Sequence, residues 1–96
     1  MNNPNERWYK FNALEQMGNI GSEVYRAFLW REKKNAEASE QAMERALKLF
    51  DLTISDPRWK KRLKEIGRAR EVFCDLFFGQ NQYNETSERL MKYFDE

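Results

Sequence analysis

Apolar positions in this chain recur at helical spacing. Ala13, Met17, Ile20, Val24 and Ala27 step by four, three, four and three, with Phe28 adjoining. That is the stripe of one amphipathic helix. The spacing predicts a first helix from Glu6 or Phe11 to Lys34, ending in the polar run "REKKN". Basic residues there suit the negative end of a helix dipole. Met43, Ala46, Leu47, Phe50 and Ile54 mark a second helix, with Asn35 as its N-cap and "SDP" as its stop. Trp59, Leu63, Ile66, Arg70, Phe73 and Phe77 form the seam of a third, from Pro57 to Phe78. Asp56 caps it, Pro57 takes its first position, and Gly79 suits a left-handed end. A short fourth helix follows Asn84 or Thr86, with Leu90, Met91 and Phe94 on one side. No segment sustains period-two alternation, so no strand is predicted.

Four amphipathic helices on short connections pack as an antiparallel bundle. The predicted fold is therefore an all-α, four-helix up-and-down bundle with a short fourth helix. A three-helix bundle with a C-terminal arm is the alternative. Residues 1–5 are expected to form a loose tail, and 6–96 one domain.

The stretch "MGNIGSEVYRA" places Gly18 and Gly21 inside the first helix. Each helical glycine costs about 1 kcal/mol relative to alanine. The stripe keeps its phase through both, so one continuous helix is expected, with a break in which Gly18 ends one helix and Asn19 caps the next as the alternative. Close approach of a neighbouring helix or of a large aromatic ring would offset the cost, with Gly67 as the matching small residue on the third helix. Gly21→Leu is then expected to disrupt the bundle.

Arg70 interrupts an otherwise apolar seam, and a buried charge needs a partner. If Gly21 and Gly67 lie level in a parallel pair of helices, Glu23 falls beside Arg70. A buried Glu23–Arg70 ion pair is the expectation, with a small-ligand pocket around it as a further reading. The run "RWKKRLKEIGRAR" holds seven cations against one acid. Arg58, Lys61, Arg62 and Arg68 are its candidate phosphate contacts. Nothing that reads bases accompanies them. "VFCDLFF" wraps most of a helix circumference, and Trp30 lies off its own stripe. Trp30, Phe73, Phe77 and Phe78 are therefore the candidate association surface.

Composition narrows the function. The chain has 96 residues, a net charge of +1 and no histidine. Without histidine there is no Ser-His-Asp or Cys-His nucleophile and no Glu-x-x-His iron motif. The four glycines fit no phosphate loop. Glu71 and Asp75, one turn apart, read as solvated acids. No catalytic residue, metal or cofactor is assigned, and the chain is read as a non-enzyme. The single cysteine, Cys74, allows no internal disulfide and reads as a packing residue in a reducing, cytoplasmic setting. The N-terminus lacks a signal-peptide core, and no apolar run approaches the ~20 residues of a membrane span.

Residues 35–50, "NAEASEQAMERALKLF", resemble the second helix of a tetratricopeptide repeat, with Ala46-Leu47 in the usual place. The likeness covers one helix. The family's Trp-Leu-Gly-Tyr pattern and its ~34-residue period are both missing, so the segment is read as generic alanine-rich helix. "NIGSE" is similar to the "NIAEG" of small four-helix proteins of the intervening-sequence family, over five residues that name no family. The related HEPN ribonucleases use a histidine that this chain lacks.

The sequence thus points to a small, non-catalytic cytoplasmic helical protein that binds a protein partner or itself, through the third and fourth helices. Nucleic-acid association through residues 58–70 is the alternative. No membrane partner is expected.

Overall fold

The computed structural model describes residues 4–79 and 86–95, and the elements among them are all helical. They are α1 (Pro4–Tyr9), α2 (Ala13–Glu32), α3 (Ala36–Ile54), a 3₁₀ segment (Pro57–Arg62), α4 (Leu63–Phe78) and α5 (Ser87–Asp95). The protein is an all-α bundle. α2 packs on α3 and α5, and α4 packs on the same two. α2 and α4 therefore occupy one diagonal of a four-helix arrangement, and α1 lies outside it as a short preceding helix. Among the described residues no helix is long and apolar enough to cross a membrane.

Local chemistry explains most of the boundaries. Asn12 opens α2 with a reciprocal capping box: its side chain accepts from the Glu15 N–H, and the Glu15 carboxylate accepts from the Asn12 N–H. α2 then runs unbroken through Gly18 and Gly21. Lys34, at φ 60°, reverses the chain. Asn35 caps α3 by accepting from the Ala38 N–H. Gly79, at φ 86°, ends α4 in the left-handed region where glycine carries no penalty. The Thr86 hydroxyl accepts from the Arg89 N–H at the start of α5. Asn84, the other candidate start, lies outside the described residues.

Two expectations are corrected and one is narrowed. Pro4 and Asn5 belong to α1 and not to a tail; residues 1–3 lie outside the described residues. The first helix starts at the later of the two expected places, because the chain turns at Lys10–Phe11 before the Asn12 cap starts α2, and Glu6 lies in the separate α1. The third helix is split. Its first six residues wind as 3₁₀, at three residues per turn. That changes the phase, so Trp59 and Ile66 are buried while Leu63, between them in the expected seam, is 39% exposed. In α3 the buried line is Ser39, Ala42, Ala46, Phe50 and Thr53. The polar Ser39 and Thr53 take core places, and Ile54 turns outward.

The core is a chain of rings. Phe73 is fully buried and meets Phe28 of α2 and Phe50 of α3, at centroid distances of 5.6 and 6.1 Å. Phe50 meets Phe94 of α5 at 6.0 Å. Rings from all four main helices thus meet at one level.

Candidate functional site

Polar groups concentrate at the end of the bundle where α1, the start of α2, the end of α3 and the 3₁₀ segment converge. The Trp8 indole N–H donates to the Thr53 hydroxyl at 3.0 Å. The Gln16 amide donates to the Trp8 carbonyl and to the Asp56 carboxylate, both at 3.1 Å. The Gln16 oxygen accepts from the Trp59 indole. Asp56 also accepts from the Arg58 N–H and guanidinium. These donations, with Arg58 the strongest, hold the Asp56 carboxyl down at about 2 although burial opposes them.

Asp56 is therefore ionised at neutral pH and has no proton to give. Every polar atom of this buried set is partnered, so the cluster is a staple joining four segments and not a reactive centre. Sequence reasoning missed it apart from the Asp56 cap and the Trp59 seam position. The available signal was Gln16, one turn before Ile20 on the apolar stripe.

Glu23 and Arg70 are not brought together. The Glu23 carboxylate accepts from Arg26 and from Arg45 of α3, each at 3.0 Å. Arg70 pairs with Asp51 of α3, also at 3.0 Å. α3 touches both helices of the diagonal and offers each charge an opposite one, so neither crosses the bundle. Neither pair is deeply buried: the Arg45 and Asp51 side chains are more than half exposed.

Of the three glycines, Gly21 alone faces a close neighbour. A Cβ built there would stand 2.8 Å from the Phe94 Cβ. Gly18 and Gly67 have nothing within 4 Å. The close approach is thus by α5, not by Gly67 of α4.

The candidate association surface also divides. Phe73 is core, and Phe77 is half-buried with the Arg31 guanidinium over its ring at 5.4 Å. Arg31 also donates to the Leu76 and Phe77 carbonyls and so satisfies the C-terminal end of α4. Trp30 is half-buried with the Lys33 ammonium over it at 5.5 Å. Only Phe78 of the four is well exposed.

The candidate phosphate contacts do not form one α-helical face, because 58–62 are 3₁₀. Arg58 is held by Asp56 at 2.6 Å. Arg62 pairs with Glu65 at 2.9 Å and lies over the Trp59 ring at 4.9 Å. Lys61 and Arg68 are exposed. Among the described residues no three His, Cys, Asp or Glu side chains stand together in metal-holding range.

A concave surface between α2 and α5 encloses about 640 Å³. Gly18, Gly21 and Ser22 form its floor, because their small side chains leave the α2 backbone low. Tyr25, Phe28, Leu29 and Met91 supply apolar walls, and Tyr25 is 53% exposed. Glu32 and Glu88 are the charged residues that line it among the described residues, with no cation among them. Gly21 followed one and two turns later by Tyr25 and Leu29 was the sequence signal for such a surface. Comparison with known proteins finds no matching family model, no significant match among curated proteins and none among solved structures.

Proposed function

We propose that this chain is a non-catalytic, cytoplasmic interaction module whose α2/α5 groove receives one basic amphipathic helix of a protein partner. The lining of the groove carries this reading. Apolar walls over a low floor take the side chains of an incoming helix at i, i+3, i+4 and i+7. Two carboxylates, with no cation among the described lining residues, favour lysine and arginine on that helix's flanks. Tyr25 and Met91 are residue types enriched in contact surfaces.

Self-association is the weaker form, since Phe73 and Phe77 are engaged inside the fold. The nucleic-acid reading is weaker too, since Arg58 and Arg62 are occupied by Asp56 and Glu65.

The test uses a synthetic helical peptide with leucines on one face and lysines on the other, and a second peptide with glutamates in place of the lysines. Amide shifts on the full chain are expected to change at Tyr25, Leu29 and Met91. Leu29→Glu is expected to abolish binding, and the acidic peptide to bind at least about tenfold more weakly. Equal binding of both peptides, or shifts outside the groove, overturns the proposal. Concentration-dependent dimerisation lost in Leu29→Glu assigns the groove to a second copy and overturns it as well.

A further inference from the structure

α1 is joined to the bundle mainly through one side chain, that of Trp8. It is a helix of six residues, too short to hold its form in water by itself. No element packs along its length. Glu6 and Arg7 are exposed, while Trp8 is 5% exposed and reaches inward. Its ring meets Phe11 edge-on at 5.7 Å, and Phe11 belongs to the same segment.

The neighbouring elements have supports that do not involve α1. The Asn12–Glu15 capping box starts α2. Asp56, bonded to Arg58, starts the 3₁₀ segment. Trp59 donates to Gln16. The turn at Lys10–Phe11 lies between α1 and these supports and serves as a hinge. A short, lightly packed terminal segment opens at lower cost than the core.

What Trp8 leaves behind on opening is chemically specific. The Thr53 hydroxyl donates to the Leu49 carbonyl at 2.8 Å, so toward Trp8 it can only accept. It takes the Trp8 indole N–H at 3.0 Å. The Gln16 amide gives one N–H to Asp56 and one to the Trp8 carbonyl. A vacated socket therefore holds one unmet acceptor and one unmet donor around the space of a tryptophan ring. An indole N–H and the carbonyl of the same residue answer both, as Trp8 does.

We propose that α1 is a strap over a tryptophan socket: it lifts while the bundle stays folded, and the socket then takes a tryptophan residue of another polypeptide. The chemistry of the occupant is the one that Trp8 already displays there. Any such residue competes with Trp8, so its apparent affinity is lowered by the closed fraction. The socket is separate from the α2/α5 groove and stands or falls independently of the partner-helix reading.

Two measurements test this. In the full chain, the Trp8 indole N–H is expected to exchange with solvent at least about tenfold faster than the Trp59 indole N–H, its counterpart inside the bundle. Equal rates overturn the proposal, because α1 then opens only when the bundle unfolds, and this arm needs no variant. The probe for the socket is N-acetyltryptophanamide, titrated into full-chain Trp8→Ala and followed by NMR. Saturable binding at millimolar concentration is expected, with shifts at Thr53 and at the Gln16 side-chain amide. Wild type is expected to bind the probe at least about tenfold more weakly, since Trp8 competes. N-acetyl-1-methyltryptophanamide, which has no indole N–H, is expected to bind Trp8→Ala at least about threefold more weakly. Absence of binding to Trp8→Ala, or equal affinity for the methylated probe, overturns the proposal. An unfolded Trp8→Ala chain overturns it as well, since the bundle would then not stand without the strap.

Discussion

The Cβ that Gly21 lacks would stand 2.8 Å from the Cβ of Phe94. That contact decides what each glycine of this bundle does. Phe94 is 5% exposed and joins Phe50 in the core. Its own Cβ is fixed to the α5 backbone, so rotating the ring cannot clear the overlap. Gly21→Ala is expected to lose stability, because overpacking costs about 1–3 kcal/mol against the ~1 kcal/mol that alanine returns in a helix. Gly21→Leu is expected to displace α5. Gly18→Ala and Gly67→Ala meet open space and are expected to gain about 1 kcal/mol each. Chemical denaturation of the three alanine variants measures the opposite signs.

The expected partners of Glu23 and Arg70 are now Arg45 and Asp51. A double-mutant cycle on Glu23→Gln and Arg45→Gln should give a coupling of about 0.3–1 kcal/mol, the range of solvent-exposed pairs. The same cycle on Glu23 and Arg70 should be additive within about 0.3 kcal/mol. Exchanging those two charges, Glu23→Arg with Arg70→Glu, should recover nothing. Recovery would place the two side chains in contact.

Local signals were the legible part of this sequence. Asn35, Asp56 and Gly79 act at helix ends through groups within three or four residues of themselves, so type and position together announce them. The all-α bundle followed from the stripes, which need only one period. What stayed hidden needed rotation about a helix axis or contacts far along the chain. Phe28 does meet Phe73, and Arg31 reaches the Phe77 carbonyl, so α2 and α4 are neighbours at one end. Nothing in the stripes said that Glu23 and Arg70 would each turn to α3. Trp8, Gln16, Thr53 and Asp56 are joined by hydrogen bonds spanning 8 to 45 positions. Gln, Thr and Asp are ordinary at a surface, so the staple emerges only when four segments meet. The 3₁₀ winding of Pro57–Arg62 was hidden because its first residues satisfy helix-start chemistry in either form.

Cys74 sits half-buried on α4, where burial first, then Asp51 and Glu71, push its thiol up while Arg70 pulls it down. The thiolate is the reacting species. Alkylation by iodoacetamide at neutral pH is expected to run at least about tenfold slower than for a free cysteine peptide. Arg70→Leu removes the one lowering influence and should slow it further. Rates measured by mass spectrometry that match the free peptide would contradict the buried, raised thiol.

Asp56 makes the stability of the polar staple depend on acid. Its carboxyl lies at about 2 in the folded protein against an ordinary 3.8. A group depressed by folding stabilises above its unfolded value, and that stabilisation disappears as pH falls through the folded one. The contribution should thus be complete above about pH 4 and be lost progressively toward pH 2. Asp56→Asn keeps the shape but removes the charge that Arg58 and the Gln16 amide bind. It should cost about 2 kcal/mol at neutral pH, the scale of hydrogen bonds to a charged group. The gap between wild type and Asp56→Asn should narrow as the carboxylate protonates, closing near pH 2. Arg58→Gln removes the leading cause of the depression, so its acid-dependent loss should be smaller than in wild type and end at a higher pH. Thermal melts of the three proteins across this range give the test. A gap that stays constant with pH would mean that the Asp56 charge plays no part in holding α1, α2, α3 and the 3₁₀ segment together.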